Sequence, residues 1–173
     1  MFPLMRGLTY ATVFLSFFLV FLPARVLELA GVSGARPVGP VQVAGAIVVA
    51  LGLSLALWCV VTFAVAGKGT PAPFDPPRRL VVGGPYSIVR NPMYVGGITA
   101  LAGTSIYYES LALLAFASAF ALTAHLFVLF YEEPTLARLF GREYEDYRKR
   151  VRRWYPGRVE APASGHIGRH AGA

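Results

Sequence analysis

The chain has 173 residues, 55% of them hydrophobic and 14% charged, and a mean hydropathy of +0.55. That exceeds what a small soluble core needs and reads as a membrane protein. The net charge of +7 then points to attraction toward an anionic inner leaflet rather than to nucleic acid. The single cysteine, Cys59, excludes a disulfide within the chain and reads as a buried, inert thiol.

Long apolar runs cover residues 8–30, 38–66, 92–107 and 110–131, against about twenty residues needed to cross about 30 Å of hydrocarbon. The third run is short. Arg6 before the first run resembles a secretory signal, but no small-residue cleavage pattern follows, so the run is kept as a first helix. Only Arg25, near the end of the first run, and Arg36 fall toward the loop between the first two spans, whereas Arg6, Lys68, Arg78, Arg79, Arg90 and the C-terminal basic cluster would share the other side. Both termini are therefore expected in the cytoplasm, at a plasma membrane of the bacterial inner-membrane kind.

Segment 67–92 is dense in glycine and proline, has no helical period, and reads as a long functional loop. Asn91 followed by Pro92 predicts a helix start, Asn as N-cap and Pro at the first helical position. Tyr107-Tyr108-Glu109-Ser110 marks the turn to the next helix. The third helix rises about 24 Å and the fourth, to Glu132, about 34 Å, at about 1.5 Å per residue. Antiparallel pairing would put Tyr94 level with Thr123 to His125, with Glu132 roughly a dozen ångströms beyond and a cavity beneath the overhang.

Past Pro134, Leu136, Leu139, Phe140, Tyr144, Tyr147, Val151 and Trp154 recur at steps of three and four among many arginines. This predicts one amphipathic basic helix lying on the membrane surface and ending at Pro156-Gly157. The predicted architecture is all-α: a polytopic membrane protein with about four transmembrane helices and a C-terminal amphipathic surface helix. It divides into two N-terminal spans (1–66), a core (67–156) and a disordered tail (157–173).

An ordered set of residues carries the chemistry: Gly84, Pro85 and Tyr86; Arg90, Asn91, Pro92 and Tyr94; Glu132 and Glu133; Leu136; Phe140 and Gly141; Tyr144 and Tyr147; Trp154 and Pro156. Over about half of the chain this set resembles the membrane methyltransferases that include isoprenylcysteine carboxyl methyltransferase and the phospholipid methyltransferases. Asn91 stands where that family usually has histidine, which puts any role for an imidazole there in doubt but preserves capping or hydrogen bonding. The resemblance implies S-adenosyl-L-methionine as methyl donor, held by Tyr86, Val89, Arg90, Asn91, Pro92, Tyr94, Glu132 and Glu133. Arg90 and the free amides after Pro92 suit its carboxylate. A glutamate suits its ammonium, and the faces of Tyr94 and Tyr86 suit the sulfonium.

Two adjacent helical positions point about 100° apart. The glutamates are therefore expected to split their work, one toward cofactor and one toward an arginine of the amphipathic helix. His125, ionisable inside an apolar span, is either a pocket residue able to act as a base or a neutral histidine bonded to a neighbouring helix. A carboxylate acceptor would need an orienting cation, from Arg148, Arg152 or Arg153, whereas lipid headgroup contact accounts for most of that basic run. His125, Arg148 and Arg152 are the candidate catalytic residues.

The function so read is methyl transfer from the cytoplasmic side to a lipophilic acceptor, a prenylcysteine carboxylate or a lipid amine, entering sideways from the bilayer. The alternatives are a membrane reductase of the sterol-reductase type using NADPH, and a non-enzymatic scaffold whose basic helix recruits anionic lipid. Gly67-Lys68-Gly69-Thr70 lacks the spacing of a phosphate loop, and no Gly-x-Gly-x-x-Gly turn occurs. With three histidines, two of them (His166 and His170) in the tail, and one cysteine, no metal site is expected.

Overall fold

The computed structural model describes residues 12–13, 15–32, 37–63, 65 and 79–157. Expectations for Arg6, Arg36, Lys68, Arg78, the loop up to residue 78 and the tail from residue 158 lie outside them. The described residues are helical, with no strand. A π-turn at Phe17–Phe21 leads into α1 (Leu22–Leu29); α2 spans Pro40–Thr62; a 3-10 turn occupies Gly84–Ser87. Next come α3 (Pro92–Tyr107), α4 (Leu111–Phe127), a π-turn at Val128–Glu132, α5 (Glu133–Phe140) and α6 (Arg142–Arg150).

Among the described residues two helices are long and apolar enough to cross a membrane, Pro40–Thr62 with 23 residues and the continuous Leu111–Phe140 with 30. α3, with 16 residues, falls short of the usual span. The predicted boundaries hold where local chemistry sets them. α3 begins at Pro92, and α4 is opened by Ser110, whose hydroxyl accepts from the amide of Leu113.

α2 and α3 form the most extensive helix contact, and glycines make it close. A Cβ on Gly52 would lie 2.4 Å from the amide nitrogen of Ala100, and one on Gly103 would lie 2.5 Å from that of Val49. The backbones touch where side chains would otherwise hold them apart, the usual way for helices to associate in lipid. At the same end as the α3–α4 turn, Gln42 Nε2 donates to Glu109 Oε1 at 2.7 Å and to the Tyr107 carbonyl at 3.4 Å. This buried amide pins the turn to the start of α2.

The C-terminal region departs from the predicted single surface helix. The long helix does not stop at Glu132 but continues past the glutamate pair to Phe140. Pro134 has no N–H to offer the carbonyl four residues back, and the preceding turn is widened so that Glu133 N donates to Val128 O. Gly141, at φ +51°, then breaks the helix, and α6 ends at Arg150 because Val151 is extended. The apolar face of α6 is covered by protein: Tyr144, Tyr147 and Val151 bury against Leu80, Leu136, Ala137 and Phe140.

Candidate functional site

Glu132 and Glu133 diverge as the helical step requires. Glu133, with its side chain 8% exposed, receives Arg153 through Nε–Oε1 at 2.6 Å and Nη2–Oε2 at 2.8 Å, and Arg90 Nη2 at 3.2 Å. Glu132 faces α3, where its Oε2 accepts from the hydroxyl of Tyr94 at 3.2 Å. The two long side chains meet across whatever offset separates their positions along the helices.

Two guanidinium groups on one carboxylate leave a net positive charge, and a two-pronged ion pair is the stronger kind. The bonds from Glu133 raise Arg153 above its ordinary range, despite some opposing burial. Arg90 also donates through Nη1 to the hydroxyl of Tyr144 at 3.5 Å. Burial first, and then the charge of Glu133, pushes the Tyr144 phenol up to about 12. Arg90, with a side chain 9% exposed, keeps one buried donor, Nε, with no partner. Buried donors are nearly always paired, and Arg90 Nε is an exception among the described residues.

Residues 152–154 strap the site together. The Arg90 amide donates to the Arg152 carbonyl at 2.8 Å, and Asn91 Nδ2 donates to the Arg153 carbonyl at 3.4 Å. Asn91 occupies the N-cap position, yet its side chain makes no capping bond. It ties the strap instead. Trp154 Nε1 donates to His125 Nδ1 at 3.0 Å, and its ring meets that of Tyr94 edge-on at 6.4 Å.

Other residues named from the sequence lie elsewhere. Arg148 pairs with Glu145 at 3.0 Å on the exposed face of α6, and the Arg152 guanidinium sits over the Tyr155 ring at 4.9 Å. Neither bonds to the glutamate pair, because the break at Gly141 and the extended Val151 bring Arg153 to it. Tyr86 packs with Cys59 and Val81, its ring against Phe63. Its carbonyl accepts from Tyr147 at 2.7 Å. With its ring so enclosed, Tyr86 is a core residue that supports the turn. Val89 and Pro92 are buried on either side of Arg90 and Asn91. Cys59 is buried and free, as expected. Among the described residues no three of His, Cys, Asp and Glu gather as a metal site would require. Sequence reasoning placed Arg153 among several equivalent arginines and Trp154 only in a motif; the closing Trp-x-Pro was the available signal for both.

A family profile described as phospholipid methyltransferase matches residues 41–143, more than half of the chain. The chain belongs to this family of membrane methyltransferases. It is also similar to the cobalt-zinc-cadmium resistance protein CzcN of Cupriavidus metallidurans, 35% identical over 111 residues, covering 61% of this chain and 46% of that protein. The nickel-cobalt-cadmium resistance protein NccN of Alcaligenes xylosoxydans xylosoxydans is 33% identical over 111 residues, covering 61% and 47%. The chain spans about half the length of the curated relatives it matches. No solved structure matches. These matches favour a methyltransferase and lend no support to the reductase alternative.

Proposed function

We propose that this protein transfers a methyl group from S-adenosyl-L-methionine to a lipophilic acceptor at a membrane face. The observation that carries the reading is the meeting of the Arg90 turn with the Glu132–Glu133 pair, brought together by Tyr94 and the strap. The residue chemistry fits the donor. The unpartnered Nε of Arg90 suits a carboxylate. Oε1 of Glu132, bonded by no described residue, suits an ammonium, and the Tyr94 ring suits a cationic sulfonium. Glu133, held by two arginines, is the structural member of the pair.

Bound S-adenosylmethionine would supply a methyl carbon whose bond to sulfur breaks as a bond to the acceptor's lone pair forms, leaving a neutral thioether. The protein's part is to align donor and acceptor and to keep water away. Arg90, Asn91 and Pro92 would hold the donor at the start of α3, with Val89 behind them. A carboxylate acceptor arrives ionised and needs no base, whereas an amine must first lose a proton.

Both termini on the cytoplasmic side, four crossings with α3 as a short one, and sideways entry of the acceptor complete the reading. Its test is to give membranes carrying the protein a donor labelled in the methyl group and to separate lipid, protein and small-molecule fractions. Label in a lipophilic fraction that disappears with Glu132→Ala is expected. Absence of label in every fraction, with no binding of the donor to purified protein, overturns the proposal.

A further inference from the structure

An indole N–H only donates. The 3.0 Å contact from Trp154 Nε1 therefore calls for a lone pair on Nδ1 of His125, which an imidazole with its hydrogen on Nε2 provides. The two rings also touch, with centroids 5.8 Å apart and tilted by 40°. The same indole meets Tyr94 edge-on, and Tyr94 in turn holds Glu132. Trp154 thus links an α4 side chain to an α3 side chain without belonging to either helix. Its own backbone is fixed next door, where Arg153 is bonded twice to Glu133 and its carbonyl receives Asn91.

A neutral imidazole has one nitrogen that accepts and one that donates. With the acceptor taken by Trp154, the remaining polar atom of His125 is an N–H. We propose that Trp154 is a positioning residue which locks His125 into the Nε2–H form, making it a hydrogen-bond donor to the methyl acceptor and withdrawing it from general-base work. The proposal rests on the methyltransferase reading and deepens it: an oxygen-bearing acceptor headgroup is oriented from His125. Any proton released then passes to a group other than His125.

The test uses the full chain in detergent, labelled with 15N-histidine, with the His125 signals identified by their loss in His125→Gln. Wild type is expected to show a single Nε2–H tautomer at His125. Trp154→Phe, which keeps an aromatic ring and removes the donor, is expected to yield a mixture of tautomers. In that variant kcat for methyl transfer should fall roughly tenfold, the effect of losing one hydrogen bond, while KM for S-adenosylmethionine changes less than about twofold. His125→Gln can accept from the indole and still donate, so it should retain activity within about threefold, whereas His125→Leu should not. An unchanged tautomer in Trp154→Phe, or His125→Gln as inactive as His125→Leu, overturns the proposal. The tautomer readout needs no turnover, so a wild type that neither binds the donor nor transfers methyl refutes the methyltransferase reading separately.

Discussion

Glu133 and Arg153, twenty residues apart, close on each other through two parallel bonds of 2.6 and 2.8 Å, with Arg90 on the same carboxylate at 3.2 Å. This pair joins the end of the long helix to the strap and so fixes where the turn before α3 sits. Removing the carboxylate leaves two guanidinium groups facing each other without compensation. Glu133→Ala should therefore cost about 3–5 kcal/mol, read as a lower thermal midpoint in detergent. Arg148→Ala, which loses only an exposed pair with Glu145, should stay within about 0.5 kcal/mol.

The α2–α3 contact depends on absent side chains. Gly52→Ala would put a methyl 2.4 Å from a backbone nitrogen, so the helices must separate. The expected loss is about 1–3 kcal/mol or more, with a lower yield of folded protein. Gly83→Ala meets nothing within 4 Å and serves as the matched control, with no change in midpoint.

Tyr94→Phe removes the hydroxyl that donates to Glu132 while keeping the ring. A hydrogen bond to a charged group contributes about 1.5–3 kcal/mol, so methyl transfer should fall roughly ten- to a hundredfold. Glu132→Gln, which changes the charge itself, should fall further. Initial rates with labelled donor check both, and equal activity of Glu132→Gln and wild type would remove Glu132 from the site.

Tyr144 and Tyr147 are raised, chiefly by burial, Tyr144 to about 12, against an ordinary phenol near about 10. A raised phenol means that the folded state favours the protonated form. Its contribution is intact below about pH 10 and is lost as the pH climbs through the folded values. Alkaline titration should show tyrosinate absorbance and loss of helicity rising together above that point. In Tyr147→Phe the bond to the Tyr86 carbonyl is lost, so neutral-pH stability should drop by about 1–3 kcal/mol.

Much of this was written in local sequence. Apolar run length marked α2 and the long helix, Asn91-Pro92 marked the start of α3, and Ser110 marked the start of α4. That the two glutamates meet different partners, Tyr94 for one and arginines for the other, also followed from helical geometry, since neighbours on a helix face different ways. Periodicity misled past Pro134, because steps of three and four continue smoothly through a glycine whose φ of +51° ends the helix. That glycine and the extended Val151 redirect the chain so that Arg153, and neither Arg148 nor Arg152, meets Glu133.

By itself, then, the order of residues determined membrane character, helix starts and the motif of arginine, tyrosine and paired glutamates, because each depends on composition or on neighbours within a few positions. Tertiary structure alone decided which arginine neutralises which glutamate, that Asn91 fastens the strap, and that Trp154 finds His125 twenty-nine residues away. Those pairings depend on where separate helices bring their ends, which is set by backbone contact at Gly52 and Gly103 and by the bend at Gly141, and no local pattern encodes that meeting.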